Sequence, residues 1–150
     1  MSEYHSTTTK FNDEECLVNA LVESGYTRDQ IEVHKEPVQL FDYVGRATRY
    51  MDKVNGDRAN IIVRRQNIGY GSANDLGFKW NGKTYDAIVS EYDSGSRHWG
   101  LNSPRFKKLK VDYTDQRTMK TAKKQGFKFL GKQIVNGKPV LRFMDTRAGA

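Results

Sequence analysis

Three histidines and one cysteine are the residues of this sequence that could bind a metal ion or act as a nucleophile. His5, His34, His98 and Cys16 are scattered along the chain, and none belongs to a closely spaced pair typical of a zinc site. A nucleophilic Cys16 would need a lowered thiol pKa and a partner histidine. Because Cys16 falls inside a predicted helix, we expect it to pack in the interior. We predict no metal site and no cofactor.

Two other patterns resemble catalytic or phosphate-binding motifs only in part. The glycine-rich stretch 69–77 lacks the GxxxxGK[ST] pattern and leads into a predicted hairpin, whereas a phosphate loop leads into a helix N-terminus. Glu91 and Asp93 could share one face of a strand, while Asp86 would lie on the other face. We interpret these carboxylates as a solvated edge. No catalytic residue is predicted, and an enzyme is the least favoured class of function.

Positive charge is concentrated in the last third of the chain. Residues 1–100 hold 12 Lys and Arg against 15 Asp and Glu, whereas residues 101–150 hold 13 against 3, a net charge of +10 in a chain of +7. A basic segment of this kind is typical of a surface that binds a polyanion. The candidate phosphate-binding residues are Lys107, Lys108, Lys110, Arg117, Lys120, Lys123 and Lys124.

These cations are positioned by a predicted amphipathic helix. Ser103 followed by Pro104 is a typical helix start, and Phe106, Leu109 and Tyr113 have the spacing of a buried stripe. Residues 114–116 predict a kink or a restart, and Gly126 predicts the end.

The rest of the chain predicts one short helix and several strands. A helix is expected over 13–24, with Asn12 as its N-cap. Hairpins are expected around Asn81-Gly82 and Asn136-Gly137, as type I′ turns that need positive φ. Strands are expected over 4–11, 31–35, 38–43 and 60–66, and in the two hairpins over 76–80, 83–91, 127–135 and 139–144.

This order predicts a single α+β domain over residues 1–150. Its antiparallel sheet contains the two hairpins and is covered on one face by the N-terminal helix and the basic C-terminal helical segment. Segment 42–58 is polar and lacks periodicity, so we predict weak protection from hydrogen exchange there.

Composition excludes two classes of protein. The longest aliphatic runs are three residues, against roughly 20 apolar residues needed to span a bilayer. The single cysteine excludes a disulfide scaffold and favours a reducing, cytosol-like compartment. The first residues show neither the basic nor the apolar region of a secretory signal.

Three stretches resemble a known family. They are the Met-Ser start with its short aromatic strand and the helix 15–26, the motif Asp75-Leu-Gly-Phe-Lys-Trp-Asn-Gly-Lys-Thr-Tyr-Asp, and the segment Ala122-Lys-Lys-Gln-Gly-Phe. Together they are similar to the conserved reading frame thirty-five family of plastids and cyanobacteria, which has relatives in phages of those hosts. The family begins Met-Ser-His-aromatic, whereas Glu3 stands here in place of the histidine. The resemblance implies a small soluble α+β protein and supplies no established activity.

Two functions remain open at the sequence level. One is a non-enzymatic basic module that binds an anionic partner, above all nucleic acid, through the cations of the predicted helix. The other is a protein–protein adaptor that meets an acidic surface and uses exposed aromatic anchors. The candidate aromatics are Trp80, Tyr92 and Trp99. The lysines could also serve only to keep the surface hydrated. The sequence sets no oligomeric state.

Overall fold

A computed structural model describes residues 4–69, 73–90, 99–100 and 102–147. Its elements are β1 (Tyr4–Thr8), α1 (Glu14–Glu23), β2 (Ile31–Gln39), β3 (Arg58–Val63), β4 (Leu76–Trp80), β5 (Tyr85–Ser90), α2 (Pro104–Lys124), β6 (Phe127–Val135) and β7 (Lys138–Asp145). Strands β1 to β5 form one antiparallel sheet in the order β1-β5-β4-β3-β2. Among the described residues, strands β6 and β7 pair only with each other. The α+β class is confirmed, but the second hairpin forms a sheet of its own.

The five-stranded sheet buries residues on both of its faces. Leu17 and Leu21 of α1 and Leu109 of α2 belong to the larger core cluster with Ile61 and Phe78 of the sheet. A smaller cluster contains Tyr4, Leu40, Ala59, Ile62 and Ile88. Neighbours along β3 and β5 thus go to opposite faces, as strand geometry requires. The helices cover one face, and the segment after β2 covers part of the other.

Helix α1 begins one residue later than the capping signal predicted. The N-cap is Asp13, whose carboxylate accepts a hydrogen bond from the Cys16 backbone N–H at 3.0 Å. Asn12 instead donates its backbone N–H to the Tyr113 hydroxyl. Both residue types are good caps, so the contact with α2 decides between them. Gly25 follows the helix with φ +110°, a conformation that favours glycine.

Helix α2 is continuous from Pro104 to Lys124, so the predicted kink at 114–116 is wrong. The Ser103 side chain caps it by accepting from the Phe106 N–H. Thr114 donates its hydroxyl to the Lys110 carbonyl four residues back, which satisfies this polar side chain without breaking the helix. Phe106, Leu109 and Tyr113 are buried, as predicted.

The two Asn-Gly turns differ. Val135 pairs with Lys138 around Asn136 (φ 51°) and Gly137 (φ 76°), the predicted two-residue turn with both residues at positive φ. The β4–β5 connection is a four-residue loop. There the Asn81 side chain accepts hydrogen bonds from the backbone N–H groups of Lys83 and Thr84. Asn81 is not at positive φ, so the type I′ prediction is wrong at this hairpin.

Strand β2 runs through Pro37, where the sequence predicted an interruption. Its pairing with β3 shifts register between Val33 and Val38. Asn60 on β3 fills the irregularity by donating to the carbonyls of His34 and Lys35 and accepting from the Trp80 N–H of β4. A side-chain amide therefore replaces ladder hydrogen bonds on both sides of β3.

Segment 40–57 is held by buried carboxylates, which explains its lack of periodicity. Asp57 accepts hydrogen bonds from the backbone N–H groups of Tyr50, Met51 and Asp52 at 2.8–3.1 Å. Asp75 accepts from the Phe41 N–H at 2.8 Å and from Arg64 at 2.9 Å. These carboxylate–amide bonds order a polar segment that has no helix or strand pattern.

Candidate nucleic-acid interface

The cations of α2 lie on the flanks of the helix and leave its outermost face mostly uncharged. Opposite the buried stripe stand Lys107, Val111, Thr114, Thr118 and Thr121, all exposed. One flank carries Lys110, Arg117 and Lys124, spaced seven residues apart. At 1.5 Å per residue this row is about 21 Å long. The helix thus carries a row of positive charge along one edge of its buried stripe.

Four of the seven predicted phosphate-binding residues make contacts within the chain. Lys108 pairs with Asp112 at 2.6 Å. Arg117 and Lys120 both pair with Asp13, at 3.1 and 2.7 Å. The Lys110 ammonium lies 4.8 Å from the centre of the Phe106 ring. Lys107, Lys123 and Lys124 are exposed, and we find no ion pair for them within the described residues.

Asp13, the N-cap of α1, is the carboxylate that pairs with both Arg117 and Lys120 of α2. Partial burial raises the pKa of this carboxyl group, but hydrogen bonds from Lys120 and Cys16 and the Lys120 charge outweigh burial and bring it to about 2. Asp13 is therefore ionised at neutral pH and neutralises part of the charge of Arg117 and Lys120. These two residues fasten α2 to the start of α1.

A groove of about 770 Å³ lies between the chain after β1 and α2. Its lining includes the cations Lys10, Lys110 and Arg117 and no carboxylate. Several of its hydroxyls have internal partners: for example, Thr9 donates to the Tyr85 carbonyl and Tyr113 to the Asn12 side chain. Its cations are therefore its main ligand-binding groups. Lys10, 100 residues from Lys110 in sequence, was not among the predicted residues.

The hairpin β6–β7 carries a second set of cations that the sequence analysis missed. Lys128, Lys138 and Arg142 are exposed, and no carboxylate pairs with them in the described part of the chain. Lys132 pairs with Asp115 at 2.6 Å, and Arg147 pairs with Asp145 at 3.0 Å. The sequence does contain a signal for these cations, because every second residue of a strand lies on the same face. On one face of β7 the cations Lys138 and Arg142 alternate with Val140 and Met144.

Each carboxylate of residues 102–147 thus has a cation partner: Asp112, Asp115 and Asp145 pair with Lys108, Lys132 and Arg147. The cations left over share three properties: they are exposed, they lie on α2 or the hairpin, and the described residues give them no carboxylate. We call these seven residues the basic surface. They are Lys107, Lys110, Lys123, Lys124, Lys128, Lys138 and Arg142. The basic surface has more than one part, because Lys110 lines the groove after β1 whereas Lys123 and Lys128 line a separate cleft.

A cleft of about 470 Å³ lies between α1, α2 and the hairpin, and its lining includes the carboxylate Glu15 of α1 beside Lys123 of α2 and Lys128 of β6. Met119, Phe127 and Phe129 supply its apolar part. The shared cleft brings cations from the two elements to one region of the molecule.

Of the predicted interaction aromatics, Trp80 and Trp99 do not share an exposed surface. Trp99 is buried, and its indole N–H donates to the Tyr26 hydroxyl at 2.7 Å. The Arg105 guanidinium lies about 5 Å from both rings. Trp99 is therefore a core residue, and its prediction as an exposed anchor is wrong. Trp80 is 41% exposed and packs edge-on against Tyr85. Tyr92 lies outside the described residues.

The other candidate chemistry finds little support in the described residues. They contain no group of three or more His, Cys, Asp or Glu arranged to hold a metal ion. Cys16 is buried, and burial followed by the Asp13 charge raises the pKa of its thiol, which opposes a nucleophilic role. Asp86 accepts a hydrogen bond from Asn81, while Glu91, Asp93 and His98 lie outside the described residues. No helix in the described part of the chain is long and apolar enough to cross a membrane.

The fold and the basic surface define an α+β protein with a cation-rich helix and an adjoining cation-rich hairpin. A family described as "Protein of unknown function (DUF1257)" matches residues 38–138, about two thirds of the chain. The chain belongs to this family. The match runs from the end of β2 to the first residue of β7 and includes all of α2. No curated protein and no solved structure matches the chain.

Proposed function

We propose that this protein is a non-enzymatic module that binds nucleic acid through its basic surface. The observation that carries the proposal is the excess of exposed cations without carboxylate partners on α2 and the hairpin. A protein that needed these lysines only for hydration would not have to collect them on two adjoining elements. Proteins that bind phosphate backbones gain affinity by releasing condensed counterions, one for each phosphate neutralised.

The predicted helix residues enter this proposal with two different roles. Lys107, Lys110, Lys123 and Lys124 supply phosphate contacts directly. Lys108, Arg117 and Lys120 already hold carboxylates, so they contribute to the potential around the surface and contact phosphate only if a pair opens. The groove with Lys10, Lys110 and Arg117 offers a path for a phosphate backbone along the outer flank of α2.

Fluorescence anisotropy with labelled single- and double-stranded DNA and RNA over a salt series tests the proposal. We expect micromolar binding that weakens steeply with salt. The variant K107Q/K110Q/K123Q/K124Q should lower the magnitude of the slope of log K against log salt by about 3 to 4, because each duplex phosphate contact contributes about 0.9.

The matched control removes four exposed lysines from the first hundred residues, in the variant K35Q/K53Q/K79Q/K83Q. Both variants have the same net charge, so a loss confined to the α2 variant locates the site. Equal losses in the two variants would show a dependence on net charge alone. Absence of binding at low salt to all four probes would exclude nucleic acid as the partner.

An adaptor that binds an acidic protein is the second candidate, because the hairpin exposes apolar side chains as well as cations. Leu130 is 50% exposed, Ile134 68% and Met144 48%. Apolar residues rimmed by charge are typical of protein interfaces. Generic nucleic acid would not bind such an adaptor, so the same anisotropy series separates the two functions.

We further infer a setting for this function. A single cysteine, buried in α1, suits a reducing compartment such as the cytoplasm. The motif in β4 and its loop supports kinship with the plastid and cyanobacterial reading frame thirty-five family and its phage relatives. A plastid stroma or an infected host cytoplasm would then be the site of action. Mass spectrometry of fractionated host cells would test this placement.

A further inference from the structure

Residues 133–140 at the tip of the hairpin β6–β7 are all exposed, and they make no hydrogen bond or ion pair with another element in the described part of the chain. An isolated two-stranded hairpin is only marginally stable in water. Its turn contains only Asn136 and Gly137, so the tip carries no bulky loop. The tip of the hairpin is thus a narrow ribbon with exposed apolar side chains, among them Ile134 at 68%.

Register assigns every hairpin side chain to one of two faces, because directly paired residues of antiparallel strands lie on the same side. The inner face contains Phe129 and Phe143, whose ring centres are 5.6 Å apart, and Lys132, which pairs with Asp115 of α2. We call the opposite side the outer face. It comprises Lys128, Gly131, Gln133, Val135, Lys138, Val140, Arg142 and Met144.

The outer face has the composition of a surface for a polyanion with apolar features. All of its side chains are exposed, three are cationic, and none is a carboxylate. On β7 the cations Lys138 and Arg142 alternate with Val140 and Met144, so both kinds of contact lie along one line. An acidic protein would satisfy the cations but gives no reason for so thin a ribbon.

The major groove of B-form DNA admits a two-stranded ribbon and offers both kinds of contact. Arginine and lysine bind the O6 and N7 acceptors of guanine, and apolar side chains contact the thymine methyl group. A-form RNA has a deep and narrow major groove that side chains cannot read. We propose that β6–β7 enters the major groove of duplex DNA with its outer face toward the base edges. This inference rests on the nucleic-acid binding proposed above.

The position of α2 fits this arrangement. Lys123 of α2 and Lys128 of β6 line one cleft at the base of the hairpin. A duplex that receives the ribbon in its groove would bring phosphates beside this base. The helix end then supplies backbone contacts that set the position, while Arg142, Val140 and Met144 face the bases.

The first test compares a DNA duplex with an RNA duplex of the same sequence by anisotropy. We expect the wild-type protein to bind the DNA at least about fivefold more tightly, an advantage of the size that one or two base contacts supply. The variant V140S/M144S should reduce this preference and leave the salt slope unchanged. The variant K138Q/R142Q should also reduce this preference, because these two cations contact base edges, and should change the salt slope little. Its matched control is K79Q/K83Q on the β4–β5 hairpin.

The second test is protection of guanine N7, a major-groove atom, from dimethyl sulfate. We expect protection by the wild-type protein and its loss in K138Q/R142Q, with unchanged circular dichroism. Equal affinity for the two duplexes, or binding without N7 protection, would overturn the groove-entry inference and leave nucleic-acid binding intact. No binding to any nucleic acid would overturn both.

Discussion

The hydroxyl of Tyr113, in the middle of α2, accepts hydrogen bonds from the backbone N–H groups of Asn12 at 2.9 Å and Asp13 at 3.1 Å. The same hydroxyl donates to the Asn12 side chain at 3.1 Å. The basic helix is thus fixed to the residues that begin α1. The centres of the Phe11 and Tyr113 rings are 4.5 Å apart, so apolar packing accompanies these hydrogen bonds.

Replacing Tyr113 by Phe should destabilise the protein by about 1–2 kcal/mol, because two partly buried backbone donors lose their acceptor. Urea denaturation followed by circular dichroism measures this change in the free energy of unfolding. Tyr43→Phe is the control, since the half-buried Tyr43 hydroxyl has no hydrogen bond among the described residues. Equal effects of the two substitutions would contradict the role given to Tyr113.

Replacing Asp13 by Asn should strengthen nucleic-acid binding. The substitution removes the carboxylate that pairs with Arg117 and Lys120 and keeps a residue that caps helices well. The two released cations should increase the magnitude of the salt slope by up to about 1.8. The control Asp29→Asn makes the same change in net charge at an exposed residue. Unchanged binding in Asp13→Asn would exclude Arg117 and Lys120 as phosphate ligands.

The same carboxylate should make stability depend on pH in a defined window. The pKa of Asp13 is about 2 in the folded protein, against an ordinary value of 3.8. A lowered folded-state pKa stabilises the fold above the ordinary value, and this contribution is lost as the pH falls toward 2. The difference in unfolding free energy between the wild type and Asp13→Asn should therefore shrink between about pH 4 and pH 2. A difference that stays constant with pH would contradict this assignment.

Local signals in the sequence predicted the helices and the Asn136-Gly137 turn. The signals for α2 all lie within this one helix, so its prediction needs no information on tertiary contacts. They are the start at Ser103-Pro104 and the spacing of Phe106, Leu109 and Tyr113. The N-cap of α1 was misplaced because Tyr113, about 100 residues away, binds the Asn12 N–H. Pro37 failed to end β2 because Asn60 of the neighbouring strand supplies hydrogen bonds at the irregular register.

The candidate site was predicted in outline only. Net charge located the basic third of the chain, but the ion pairs of Lys108, Arg117 and Lys120 depend on which carboxylates the fold places beside them. Trp99 was misjudged because its burial depends on Tyr26, 73 residues away. The hairpin cations were not predicted, although the sequence of β7 shows cations and apolar residues alternating on one strand face.

The two tryptophans should report opposite environments. The variant Trp80→Phe leaves only the buried Trp99, which should emit at short wavelength and resist quenching by iodide. The variant Trp99→Phe leaves only Trp80, which is 41% exposed and should emit at longer wavelength and be quenched readily. Fluorescence spectra with an iodide titration make the comparison. Strong quenching of Trp99 would show that its ring is exposed and would restore it as a candidate anchor for an adaptor.

Hydrogen exchange should separate two parts of segment 42–58. Its polar composition predicts weak protection throughout. The amides of Tyr50, Met51 and Asp52, however, donate to the buried Asp57 carboxylate, so we now expect them to exchange more slowly than the exposed amide of Lys53.

Asp57→Asn tests the origin of this protection. The neutral amide offers one acceptor oxygen in place of the two carboxylate oxygens, and its hydrogen bonds lack the strengthening that charge provides. Exchange at the three amides should therefore accelerate, while amides in the β3–β4 ladder, such as that of Ile62, should change little. Uniform acceleration across both regions would show that Asp57 stabilises the whole sheet and does not act only on this segment. Fast exchange at Tyr50, Met51 and Asp52 in the wild type would restore the expectation drawn from composition.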